Sequence, residues 1–292
     1  MHVYHLKAAG KRNWPLMSQA LEKIAAARAS GLDITADIYP YTRNQLGLLA
    51  LIPPSHFTKG MDQGRAALSR KAVRESLRAQ IEKPDGDWEN WYQHVGADWD
   101  KVQITGVGDY KGGNVDGLSV AEAARRERKD VWDMFFELAQ AGAGCAPESM
   151  DEEQKRLALR SPFVMVETDT GPTNPAKVLS THPRAFGSFP RVLAKYVREE
   201  SVLTLEEAIR RMTSLVANRV GLHDRGRIAP GMAADLVIFD PERIQDKAVY
   251  EKPLQYAEGV DYLLINGRFA IDDGKATGAN VGRVLRHGRA GD

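Results

Sequence analysis

Phe163-Val164-Met165-Val166-Glu167-Thr168-Asp169-Thr170-Gly171-Pro172 is the stretch on which the fold turns. A short apolar run delivers an aspartate to its C-terminal end, and Gly-Pro then bends the chain. In α/β architectures catalytic groups sit at such places, because a strand end holds a side chain rigidly while the following loop admits substrate. The same pattern is also that of a buried strand closed by a capping Asp. Two other segments carry polar groups in the same way: Val3-Tyr4-His5-Leu6-Lys7 at the start and His182-Pro183-Arg184 beyond Asp169.

Upstream, Asn13-Trp14-Pro15 opens a helix with a cap candidate and a tolerated proline, and Leu16, Ala20, Leu21, Ile24 and Ala27 follow at helical spacing until Gly31. Leu32 to Ile38 reads as a second buried strand. Its short connections predict parallel strands and a right-handed crossover. From Thr42 to about Trp99 the periodicity breaks down into an apolar patch (Leu46 to Ile52), Pro53-Pro54, a charged helical piece near Ala66 to Glu82, and the aromatic cluster Trp88, Trp91, Tyr92 and Trp99. This segment reads as an insertion over the strand ends, either a lid or a structural excursion. Lys101 to Thr105 resumes as a strand, and one long helix follows over Ser119 to Ala141. Further helices are expected over Phe189 to Glu200 and Leu205 to Met212, the latter capped by Thr204.

These make roughly four strand and helix units, whereas a closed barrel needs eight and about 250 residues. They predict an open sheet or half a barrel. Beyond Leu222 short strands and turns take over. Gly226 to Asp240 feeds a buried strand, and Tyr262 to Ile265, Asn266-Gly267 and Arg268 to Ile271 form a hairpin with a type I′ turn signature.

The chain has 292 residues, 43% hydrophobic and 27% charged, enough to bury a sizeable core. Forty basic and thirty-nine acidic residues are interspersed and leave a net charge of +1, which argues against nucleic-acid or membrane partners. No apolar run approaches the ~20 residues that cross a bilayer, and no secretory signal leads the chain, so a cytoplasmic location is expected. The single cysteine, Cys145, excludes an internal disulfide and any multi-cysteine metal site.

The run Gly226 to Asp240, with Gly231, Ala234 and Asp235, resembles the β-module that ends metal-dependent hydrolases of the amidohydrolase superfamily. Within it, His5-Leu6-Lys7, Asn13-Trp14, Asp37-Ile38-Tyr39-Pro40-Tyr41, Asp169 and His182 to Arg191 resemble the N-acyl-D-amino-acid deacylases, or D-aminoacylases. The resemblance covers nearly the whole chain but only the C-terminal portion of that family. Complete members carry an upstream His-x-His pair, a cysteine ligand and another histidine. The implied fold is α/β: the C-terminal half of a (β/α)8 TIM-type barrel over residues 1–222, with a lid inserted at about 42–100, followed by a small β-sandwich module over 223–292.

The resemblance also implies roles. His5 is a zinc ligand at a strand end. Asp169 is the general base and acid, taking a proton from a metal-activated water and passing it to the leaving amine. Lys7, Tyr39 and Arg184 bind the α-carboxylate of an N-acyl-D-amino acid, Arg184 through two parallel hydrogen bonds. The segment from Gly171 to Thr181 is longer than in the best-known members, and Val216 stands where proline is frequent. Two alternatives stay open: a dihydroorotase-like amidase, and a non-catalytic fragment, since a catalytic zinc usually takes three protein ligands. Self-association, aggregation or dependence on an upstream region is the corresponding expectation.

Overall fold

The protein is described by a computed structural model covering residues 1–84, 86–178 and 180–287. Its first part runs β1 (His2–Val3), α1 (Leu16–Ala29), β2 (Thr35–Ile38), β3 (Leu46–Gly47), α2 (Met61–Ala67), α3 (Lys71–Ile81), α4 (Trp91–His94) and β4 (Val102–Ile104). Then come α5 (Val120–Glu127), α6 (Val131–Ala141), β5 (Gly144–Pro147), α7 (Glu152–Arg160), β6 (Val164–Val166) and α8 (Arg184–Arg191). A π-helix (Val192–Glu199), α9 (Leu205–Met212), α10 (Ser214–Arg219), β7 (Leu236–Phe239), β8 (Val260–Ile265), β9 (Arg268–Asp272) and β10 (Lys275–Ala276) complete it.

The expected parallel unit is present as a sheet in the order β1-β2-β6, with Ala36 opposite Val164 and Ile38 opposite Val166. Parallel pairing sends the C-terminal ends of all three strands to one side, which gathers the loops carrying Lys7, Tyr39 and Asp169. Helices α1, α7 and α9 cover this sheet through Leu21, Ile24, Leu159 and Ala208, in a core shared with Ile38, Val164 and Tyr196.

The strand at Lys101 to Thr105 does not join that sheet. β4 pairs antiparallel with β5, whose other edge takes β3. The partner strand Gly144-Cys145-Ala146-Pro147 begins in glycine and ends in proline, a composition that hides a strand. The inserted segment therefore extends from about 42 to about 150, and the parallel sheet has three strands where four were expected. The single long helix is also two. Arg128 adopts φ 54° and ends α5, and the Asp130 side chain caps α6 by accepting from the N–H groups of Trp132 and Asp133.

The inserted segment has its own core, in which Trp99 meets Tyr92, Phe135 and Trp132 at ring separations of 4.6, 4.7 and 5.1 Å. Cys145 is buried in it, and burial pushes its thiol pKa up. At the C-terminal end, β10-β9-β8-β7 form one antiparallel sheet; among the described residues no second sheet faces it, in contrast to the sandwich expected. The hairpin falls where the sequence predicts, with Asn266 and Gly267 at φ 51° and 75°.

Candidate active site

Three strand ends and one helix start converge on the ring of Tyr39, which is 1% exposed. Lys7 reaches it from the loop after β1, with Nζ 5.3 Å from the ring centre. Arg184, the first residue of α8, lays its guanidinium 4.8 Å from the same centre. Asp169 follows β6 with φ 46°, a left-handed conformation that non-glycine residues seldom adopt, and its Oδ2 is 2.8 Å from Arg184 Nη1. Lys7, Tyr39, Arg184 and Asp169 thus lie together. Arg184 already holds Asp169, yet its buried Nε has no hydrogen-bond partner among the described residues.

His5 lies two residues before Lys7. It occupies the turn after β1 at φ 40°, and its backbone N–H donates to Asp37 Oδ1 at 2.5 Å. The Asp37 carboxylate is completed by His2 Nε2 at 2.8 Å, so His2 serves to fix Asp37 and, through it, the turn. The His5 ring lies 4.8 Å from that of Tyr4 and makes no hydrogen bond among the described residues. Nor do the described residues contain any group of three or more His, Cys, Asp and Glu able to hold a metal ion. His5 alone falls short of the three protein ligands that a catalytic metal centre usually takes.

Burial holds the Tyr39 hydroxyl well above the ordinary tyrosine range, so it stays neutral; it accepts from Asn44 Nδ2 at 3.4 Å. Burial lowers the Lys7 pKa, against the pull of Asp169 and Glu167. Both groups are suited to an anion: a neutral hydroxyl that donates and a partly desolvated ammonium.

Three groups of the site have no role assigned from the sequence, although His182 opens the quoted His182-Pro183-Arg184 segment. His182 is fully buried, its Nε2 donating to the carbonyl of Arg43 at 3.1 Å while Nδ1 accepts from the backbone N–H of Arg184 at 3.1 Å. Burial and the Arg184 charge push its pKa well down, so it is a neutral clamp at the start of α8. Glu167 has both carboxylate oxygens buried with no partner among the described residues; burial, then Asp37 and Asp169, raise its pKa to about 8. Lys155 on α7 is 1% exposed, with Nζ 3.2 Å from Met150 Sδ and 4.7 Å from the Tyr39 ring centre; burial and Lys7 lower its pKa to about 7.

Signals for two of these exist. Glu167 and Asp169 are two apart, hence on one face of an extended chain, and Lys155 shares the helical stripe of Ala158 and Leu159. In Glu152-Glu153-Gln154-Lys155-Arg156, however, one lysine looks like any solvated charge.

Residues 155–271 match the model of an amidohydrolase family. N-acyl-D-glutamate deacylase of Alcaligenes xylosoxydans xylosoxydans is 32% identical over 282 residues, 97% of this chain and 47% of the relative. A crystal structure of D-aminoacylase superposes with a TM-score of 0.73 at 29% identity, covering 98% of this chain and 49% of that one. The N-acyl-D-glutamate deacylase of Bordetella bronchiseptica, solved with zinc and a phosphonate inhibitor mimicking the tetrahedral intermediate, gives 0.72 at 29% identity with the same coverage. The amidohydrolase match thus covers the part of the chain that runs from α7 to β9, and the chain as a whole is similar to deacylases. Its similarity is to D-aminoacylases and N-acyl-D-amino-acid deacylases, and it spans about half the length of the N-acyl-D-glutamate deacylase and of the D-aminoacylase structure.

Proposed function

We propose that this chain supplies the carboxylate-binding and proton-accepting part of a metal-dependent hydrolase that cleaves the amide bond of N-acyl-D-amino acids. The observation that carries this reading is the convergence of Lys7 and Arg184 on the Tyr39 ring, with an unpartnered Arg184 Nε beside Asp169. The substrate α-carboxylate accepts from Arg184 and Lys7, charge-assisted bonds in a site largely withdrawn from water. Asp169 takes a proton from the water that adds to the amide carbonyl and returns it to the departing amine as the C–N bond breaks. Arg184 positions that carboxylate while it waits.

Zinc is the metal of this reading, as in the zinc complex of the Bordetella deacylase, and His5 is its one ligand assigned to this chain. No group of three His, Cys, Asp or Glu among the described residues completes the set, and the steps assigned here belong to the chain's own side chains. In domain terms, residues 1–222 are a partial barrel with the long insertion, and 223–292 a β module. The dihydroorotase-like alternative makes no use of the Lys7, Tyr39 and Arg184 set.

The test is titration of the purified chain with N-acetyl-D-methionine and with its carboxamide, alongside zinc content and hydrolysis of the D and L isomers. Binding of the acid alone, lost in Arg184→Met, is expected. Equal binding of the carboxamide would remove the carboxylate site and the reading with it.

A further inference from the structure

The ring of Tyr39 is faced by three basic side chains, two of them in no ion pair among the described residues. Arg184 is paired with Asp169 at 2.8 Å. Neither Lys7 nor Lys155 forms an ion pair among the described residues, although their Nζ atoms lie 5.3 and 4.7 Å from the same ring centre. Lys155 is the less expected of the two. An ammonium that is 1% exposed is ordinarily matched by a carboxylate, because burying an unpaired charge is strongly unfavourable. Here its polar contact is the thioether of Met150, a weak acceptor on a flexible side chain.

We propose that Lys155 is a third anion-binding residue of this site, and that the ligand it fits carries two carboxylates, as an N-acyl derivative of an acidic amino acid does. The inference rests on the reading of Lys7, Tyr39 and Arg184 as a carboxylate site, and it adds a substrate class to that reading. The α-carboxylate takes Lys7 and the free Nε of Arg184. The second carboxylate takes Lys155 in place of the Met150 sulfur. A ligand with an apolar side chain leaves Lys155 buried and unmatched, so discrimination comes as much from the group left unpaired as from the bond gained.

Charge counting agrees. The groups acting on Lys155 are Lys7 from the loop after β1, Glu167 from the end of β6, and Asp151 and Glu152 from the start of its own helix. Lys155 is also felt by His182, which is neutral, and Arg184 shares the Tyr39 ring with it. Glu167, raised to about 8, is mostly protonated at pH 7 and does not neutralise either lysine. Lys155, lowered to about 7, takes up a proton when an anion arrives. The second carboxylate therefore binds best below pH 7. Ionisation of Glu167 above pH 8 weakens every anion alike, so the ratio of two affinities isolates Lys155.

The experiment is isothermal titration of the full chain with N-acetyl-D-glutamate and N-acetyl-D-alanine at pH 6.5 and 8.5, in wild type and Lys155→Met. In wild type the glutamate derivative is expected to bind at least tenfold tighter at pH 6.5, with a smaller ratio at pH 8.5. In Lys155→Met the ratio falls to near one at both pH values while the alanine derivative keeps its affinity within about threefold. Should that variant not fold, Lys155→Gln reads the same ratio. Equal affinities in wild type, or an unchanged ratio in the variant, overturn the role of Lys155 and leave the carboxylate site standing. Failure of both ligands to bind overturns the carboxylate site and this inference together.

Discussion

Trp99 and Tyr39 are both buried aromatic rings, one in the inserted segment and one at the strand ends, and their neighbours differ in kind. Around Trp99 stand Tyr92, Trp132 and Phe135 at 4.6 to 5.1 Å between ring centres. Around Tyr39, at 4.7 to 5.3 Å, stand Lys7, Lys155 and Arg184. Aromatic neighbours add packing and area burial, whereas three cations on one ring repel one another and are withdrawn from water. The first arrangement stabilises a fold. The second is tolerated because the rest of the structure enforces it, and it is the arrangement on which the proposed anion site rests.

Removing a pillar of the insertion should produce the largest change. Phe135→Ala empties a fully buried position and should destabilise by about 3–5 kcal/mol in denaturant titration. A loss below about 1 kcal/mol would mean that the aromatic core is not what holds the segment. Arg184→Met leaves Asp169 partly open to solvent and unpaired, so its stability loss should be smaller, about 1–3 kcal/mol, while carboxylate binding disappears. A variant that binds as wild type would break the contrast at its functional end.

The pH dependence sharpens the same contrast. Glu167, raised from 4.5 to about 8, holds its proton longer folded than unfolded, so its contribution to stability is full below pH 4.5 and lost as pH rises to 8. Glu167→Gln should therefore gain on wild type progressively across that range in thermal melts. Lys155, lowered from 10.5 to about 7, behaves oppositely: its burial is most unfavourable below pH 7 and harmless above 10.5. Lys155→Met should gain most in acid, with the gain fading toward pH 10. A flat difference in either case would place that group in contact with solvent. The smallest effect belongs to the surface, where removing Lys71 from its exposed pair with Glu75 at 3.8 Å should change stability by about 0.3–0.5 kcal/mol or less.

Legibility along the chain follows the locality of the signal. Leu205–Met212 lies where its Thr204 cap and apolar spacing predict, and Asn266-Gly267 marks its hairpin, because caps and turns are decided by a few adjacent residues. The strand at Lys101 to Thr105 reads as part of the parallel series but pairs antiparallel with β5, because a three-residue apolar run says nothing about its partner. The family motif supplied Lys7, Tyr39, Asp169 and Arg184, four residues far apart in the chain that the strand ends bring together. It did not supply Lys155 or Glu167.

By itself, the sequence determined the strand ends, the helix caps, the terminal hairpin and a kinship with D-aminoacylases, all carried by short spacings that survive in one dimension. Only the tertiary structure decided that β4 pairs with β5, that Arg184 grips Asp169, that Lys155 is buried against the Met150 thioether, and that the Glu167 carboxylate oxygens have no partner among the described residues. The physical reason is desolvation. Whether a charge is solvated, paired or stranded depends on what packs over it from distant parts of the chain, and no local pattern records that.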